Sequence, residues 1–249
     1  MSFDEAACLR FAKELVAAMI TNSRTILRRN WRGPQEERQA ALDRLAAARK
    51  SADGATTLAE LLGVEGDAAS VYFRAFAGLL KSPEDKQSAG ELAPFRFETR
   101  NRRPPADPVN AMLSLAYAML TRHLTIALAS VGLDPYRGFF HAPRYGRPAL
   151  ALDLMEPFRA VIADSVVLSA VNTGELGPSD FVVAVTGAAL TQAGRRRFVE
   201  AFERRLSQET THPAFGYQAS MRRMLIVQAR LLSRFLLGEL PSYPHYLPR

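Results

Sequence analysis

The chain has 249 residues, of which 48% are hydrophobic and 23% charged, and carries a net charge of +7. That length can bury one large helical core or two smaller ones. Cys8 is the single cysteine, which excludes an internal disulfide and any zinc site built from cysteines.

Four of the 32 basic residues are lysine (Lys13, Lys50, Lys81 and Lys86) and the rest arginine. The planar arginine fork suits phosphate oxygens and points to nucleic acid, although a GC-rich genome gives the same bias. Asp4 and Glu5 stand where a leader would be basic, and no apolar run approaches the roughly 18 to 20 residues of a membrane span. A soluble cytoplasmic protein is expected.

Ser2 and Glu5 read as a capping box opening a long helix, with Cys8, Phe11, Leu15, Met19, Asn22 and Ile26 on one face. Gly33-Pro34 ends it, and the charged stretch 36–50 makes a second, exposed helix. After a turn at Ala52-Asp53-Gly54, a third helix is expected from about Thr57 to Lys81. The stretch 82–108 is polar, proline-rich and irregular, a possible sub-boundary within what otherwise reads as a single helical domain over 1–249.

Asp107-Pro108 restarts the chain as helix, with Met112, Leu115, Ala116, Met119, Leu120 and Leu124 as its buried stripe, and Gly132-Leu-Asp-Pro135 closes it. A further helix is expected after Asp153, with Pro157 tolerated in its first turn. Residues 181–185 and 188–190 suit a small hairpin. Two arginine-rich helices, about 193–207 and 217–238, precede a tail rich in proline and tyrosine. Nine arginines between Arg195 and Arg234 face only Glu200, Glu203 and Glu209 there, which suggests a basic face for phosphate. No repeat, low-complexity tract or glycine-rich phosphate loop is found, and the fold class is mainly α.

Three places carry possible chemistry. Glu65 falls on the apolar stripe of Leu61, Leu62, Ala68, Ala69, Tyr72, Phe73 and Phe76, and a carboxylate there must be protonated, paired with an arginine or bound to a cation. His141 follows Phe139-Phe140 and reads either as a structural group or as a ligand. Asp153-x-x-Glu156 is a helix-start signature, yet the same spacing lets both acids face one cation. One imidazole with two or three carboxylates favours Mg²⁺ or Mn²⁺ over zinc. Such an ion in basic surroundings suits phosphoryl transfer on nucleic acid.

The motifs Leu61-Leu-Gly-Val-Glu65-Gly-Asp-Ala-Ala-x-x-Tyr72-Phe73, Asn101-Arg-Arg-Pro-Pro-x-Asp-Pro-x-Asn110-Ala-x-Leu-Ser114, Gly132-Leu-Asp-Pro135-x-x-Gly138-Phe-x-His141 and Ala151-Leu-Asp153-Leu-x-Glu156-x-Phe158-Arg159 occur in that order, with Tyr246-Leu-Pro-Arg249 at the end. Together they resemble the CRISPR-associated integrase and endonuclease that inserts new spacers. The resemblance implies a metal-dependent DNA endonuclease and integrase, with Glu65, His141 and Glu156 as ligands of Mg²⁺ or Mn²⁺ and Asp153 as an assisting carboxylate. The implied reaction is attack by the 3′-hydroxyl of a short DNA on a phosphodiester at the edge of a repeat.

Arg102, Arg103, Arg144, Arg147 and Arg159 lie in or beside these motifs and are the candidate DNA contacts. The family works as homodimers bridged by a small second CRISPR-associated protein. The family's N-terminal β-sandwich supplies much of the dimer contact; the chain is expected to start at the helical domain, as a naturally short form or a fragment, and to dimerise less readily. A plain metal-dependent nuclease and a non-catalytic, arginine-rich nucleic-acid scaffold are the alternatives.

Overall fold

The computed structural model describes residues 4–81 and 95–248. Helix α1, Glu5–Asn30, buries Cys8, Phe11, Leu15, Met19, Asn22 and Ile26. Its cap is Asp4, whose carboxylate accepts the Ala6 N–H at 3.1 Å. The expected Ser2 cap lies outside the described residues, and Glu5 is the first helical residue rather than the reaching-back acid.

Helix α2, Gln35–Gly54, continues through Ala52-Asp53-Gly54, which form its last turn. It is exposed except for a strip including Ala41, Leu42 and Leu45, which packs it on α1 and α3. Helix α3, Leu58–Phe76, is opened by Thr57, whose hydroxyl accepts the Glu60 N–H, while Glu60 accepts from the Thr56 N–H and hydroxyl. A 3₁₀ turn, Ala77–Leu79, ends it short of Lys81.

The described part of the irregular stretch leads to α4, Pro108–Ser130, capped by Asp107 through the Asn110 N–H at 2.8 Å. Asn110 is fully buried and ties that loop down. Its amide donates to the Thr99 carbonyl and to Asp107, and its oxygen accepts from the Asn101 N–H and from Arg100. By length and composition α4 could cross a membrane, although interrupted too often to stand out as one apolar run. Here Val109, Met112, Leu113, Ala116, Leu120 and Leu124 lie buried in the protein core.

The next helix, α5, is Ala149–Phe158, which winds into a π-helical segment, Arg159–Asp164, and emerges as α6, Ser165–Asn172. The helix therefore begins ahead of Asp153, and Pro157 sits inside it rather than in its first turn. Proline takes away one N–H and crowds the preceding turn, and the chain relaxes into wider winding directly after it. The Pro157 carbonyl accepts from Asn22 of α1 at 2.6 Å, which locks α5 to α1.

Strands β1 (Phe181–Ala184) and β2 (Gly187–Leu190) form the expected hairpin, with Phe181 opposite Leu190. Helix α7, Gln192–Ser207, follows. A second hairpin, β3 (Glu209–Thr211) with β4 (Gln218–Ser220), was not expected. It takes Tyr217 out of the last helix, α8, which runs Met221–Leu236 from a Ser220 cap. The tail is structural: Tyr243 and Tyr246 are buried, and Tyr246 stacks on Phe158 with ring centroids 5.0 Å apart. Among the described residues the fold is helical, with two short hairpins.

Candidate active site

Asp153 projects from α5 into a wholly buried position under the loop 138–141. Its Oδ2 accepts the N–H groups of Phe139 and Phe140 at 2.6 and 3.0 Å, and its Oδ1 accepts the His141 N–H at 2.8 Å. The His141 ring nitrogen Nδ1 lies 2.7 Å from the same Oδ1. Both carboxylate oxygens are thus filled, so the expectation that Asp153 and Glu156 point together at one cation does not hold, and neither does the helix-start reading. With Nδ1–H donated to Asp153, the imidazole keeps its Nε2 lone pair available, as metal-ligating histidines commonly do when a carboxylate holds the other ring nitrogen. Gly138 makes the close approach possible: a Cβ there would stand 2.8 Å from Asp153 Oδ2 and 2.8 Å from the His141 carbonyl oxygen.

Glu156, one turn further along α5, is 3% exposed. Arg159 donates to it at 2.8 Å, and the same nitrogen, Nη1, lies 3.6 Å from Glu65 Oε1 on α3. The two glutamates therefore share one internal cation. Burial, and then the charge of Glu156, push the Glu65 carboxyl above the usual carboxylate range, against the pull of Arg159, His141 and Arg102. Glu65 therefore feels the charges of Glu156, Arg159, His141 and Arg102.

Among the described residues no three His, Cys, Asp or Glu side chains are already gathered as a metal cluster. The donor types still fit a hard divalent ion: two carboxylates, one of them penalised by burial, and an imidazole with a free nitrogen. Of the two readings of Glu65, ion pair and ligand position, the ion pair is the one this geometry contains.

Behind Arg159 lies a layer that sequence reasoning missed. The Arg159 and Arg100 guanidinium carbons stand 5.1 and 5.4 Å from the centre of the Tyr117 ring. The Tyr117 and Tyr72 hydroxyls donate to Asp164 at 2.6 and 2.9 Å. Burial raises the Asp164 carboxyl to about 6, with the hydroxyl bonds and Arg159 pulling it down. The signal for Asp164 was present, an acid within Ala160-Val-Ile-Ala-Asp-Ser-Val-Val-Leu168, and is the same signal that exposes Glu65.

The candidate arginines separate. Arg102, Arg103 and Arg144 are exposed and Arg147 is half-buried. Arg159, expected as a DNA contact, is instead buried and paired with Glu156 and Glu65, so its contacts are internal. The arginine-rich helices are also less open than their composition suggests. Arg196 pairs with Glu200, Arg197 with Asp180, Arg204 with Glu175, Arg222 with Glu203 and Arg234 with Glu239, while Arg205 donates to the Val161 carbonyl. Glu175, Asp180 and Glu239 lie outside the stretch whose charges were counted.

The profile of the family described as CRISPR associated protein Cas1 matches residues 1–204. The chain is 59% identical over 246 residues to a CRISPR-associated exonuclease Cas4/endonuclease Cas1 fusion of Rhodospirillum rubrum, covering 99% of this chain and 42% of that protein. To a CRISPR-associated endonuclease Cas1 of Thermus thermophilus it is 43% identical, covering 97% and 67% respectively. Among solved structures, a casposase bound to its integration product aligns with a TM-score of 0.80 at 25% identity, covering 98% of this chain and 65% of that one. A Cas1 protein of Thermotoga maritima gives 0.80 at 26% identity, covering 94% and 67%. The chain belongs to the Cas1 family. It spans less than half the length of the fusion proteins that it matches.

Proposed function

We propose that this chain is a single helical domain carrying the metal-dependent endonuclease and integrase site of a CRISPR adaptation protein. In this reading it joins the 3′-hydroxyl of a short foreign DNA to a phosphodiester at the edge of a repeat. The observation that carries the reading is a pair of arrangements joined through α5: an imidazole held by Asp153 through Nδ1, and two glutamates from different helices that share Arg159. The endonuclease names of the relatives and the integration product in the casposase structure support it.

Glu65, His141 and Glu156 would hold the ion. Mg²⁺ or Mn²⁺ there supplies the positive charge that neutralises a phosphodiester and favours its attack by a hydroxyl. Asp153 keeps the imidazole in one tautomer and one orientation. Arg159 restrains both carboxylates from behind, and Arg102, Arg103, Arg144 and Arg147 hold flanking phosphates. No group of the chain becomes covalently attached to DNA. The proposed partners are double-stranded DNA, a second copy of the chain and a small bridging protein, in the cytoplasm. A solved Cas6-RT-Cas1 and Cas2 complex, matched with a TM-score of 0.81 at 26% identity over 98% of this chain and 25% of that one, supports the bridging protein.

Labelled short DNA incubated with a repeat-bearing plasmid, with and without Mn²⁺, tests the proposal. Joined product that requires Mn²⁺ and disappears in Glu65→Ala, His141→Ala and Glu156→Ala is expected, with DNA affinity nearly unchanged. Cleavage without joining would reduce the protein to a nuclease, and a gel shift alone to a scaffold.

A further inference from the structure

Between His141 and α5 the chain makes one tight turn: the Arg147 N–H donates to the Arg144 carbonyl at 2.9 Å, with Tyr145 and Gly146 at its corners. Gly146 has φ of +69°, the value a type II turn requires at its third position. Tyr145 is fully exposed, the most exposed of the large hydrophobic side chains. Its stalk is firmly anchored. Asp153 pins 139–141 on one side, and the N–H groups of Leu150 and Ala151 donate to the Pro135 carbonyl on the other. Arg144 and Arg147 form the two ends of the turn, and neither makes an ion pair among the described residues.

A rigid turn carrying a bare aromatic ring between two arginines, four residues from His141, matches the chemistry of a nucleotide strand. A ring face stacks on a base, and a guanidinium on each side takes a phosphate. A base pair inside a duplex has both faces covered by its neighbours and an end pair has one, so the ring adds most stacking to a base outside the duplex.

We propose that Tyr145 is a stacking platform that positions an unpaired nucleotide of the DNA held at the His141 centre, with Arg144 and Arg147 on the adjoining phosphates. This deepens the reading of that centre as a DNA site and rests on it. The preference is for single-stranded ends over blunt duplex, with little selectivity among bases, because every base offers a π-face.

The test is binding in EDTA, which is independent of catalysis. The parent, Tyr145→Ala, Tyr145→Phe and Tyr145→Trp are titrated with two DNAs of one sequence, one blunt and one with a 3′ single-stranded end bearing 2-aminopurine. Loss of a stack of about 1–3 kcal/mol predicts roughly 5- to 150-fold weaker binding of the single-stranded end by the alanine variant. Blunt DNA should change less than about twofold, and the phenylalanine and tryptophan variants should retain affinity and quench the aminopurine. The side chain has no packing to lose, so melting temperatures should stay together. Equal loss on both DNAs, no loss on either, or a phenylalanine variant as weak as alanine overturns the proposal. A parent that joins strands with Mn²⁺ while Tyr145→Ala binds normally sinks only Tyr145. A parent that quenches but never joins strands sinks the integrase reading instead.

Discussion

Replacing Asp153 with alanine leaves the N–H groups of Phe139, Phe140 and His141 without their acceptor and frees the His141 ring. Buried unsatisfied donors cost about 1–3 kcal/mol each, so Asp153→Ala is expected to lower the melting temperature by roughly 10 °C, at about 2–4 °C per kcal/mol for a chain of this size. Gly138→Ala crowds the same carboxylate and should cost about 1–3 kcal/mol in urea unfolding. Asp164 gives the pH dependence. Its carboxyl is raised to about 6 in the folded protein, against about 3.9 when unfolded. The unfolded chain binds fewer protons between those values, so stability from this group is present below about pH 4 and lost as pH rises towards 6. Urea midpoints of Asp164→Asn should vary less across that window than those of the parent. Glu65 was legible because an acid interrupting an apolar stripe needs a partner. The hold of Asp153 on the loop was not, because its partners are mostly backbone N–H groups twelve to fourteen residues earlier, and every residue except proline has one.

Elements were read well where periodicity is long and poorly where a local rule is broken. The stripe of α1 emerges intact, and that of α4 keeps Met112, Ala116, Leu120 and Leu124 buried with Leu115 and Met119 half-buried at its edge, because each spans several turns. Helix α5 was started too late because Pro148 precedes it with no side-chain cap, so the first strong polar signal was Asp153. The hairpin of β3 and β4 has three-residue strands, too short for alternation to show. The tail is a strap whose anchor is Tyr246, wholly buried against Phe158, with its carbonyl accepting from Asn22. Truncating a buried aromatic costs about 3–5 kcal/mol. Tyr246→Ala should therefore unfold at clearly lower urea while leaving the loop 138–141 in place, which near-native affinity for DNA at low salt would check.

At the scale of the molecule, a net charge of +7 predicts a field but not where DNA meets it. Affinity should fall with salt by a slope of about −0.9 per duplex phosphate contacted. Alanine at Arg102, Arg103, Arg144 and Arg147 should flatten that slope more than alanine at Arg197, Arg204 and Arg222, which answer to acids of their own. Arg159 sets the protein apart from modules that fold around their metal. Because the chain carries its own resident cation, EDTA should leave the parent's melting temperature unchanged. Arg159→Ala strips two glutamates of their counter-charge, a loss of about 3–5 kcal/mol for a broken buried pair, and its melting temperature should climb with added Mn²⁺. On the proposed reading, loading an ion would be a displacement inside a finished structure, and a single guanidinium would set the ion concentration the centre needs, with no ligand altered.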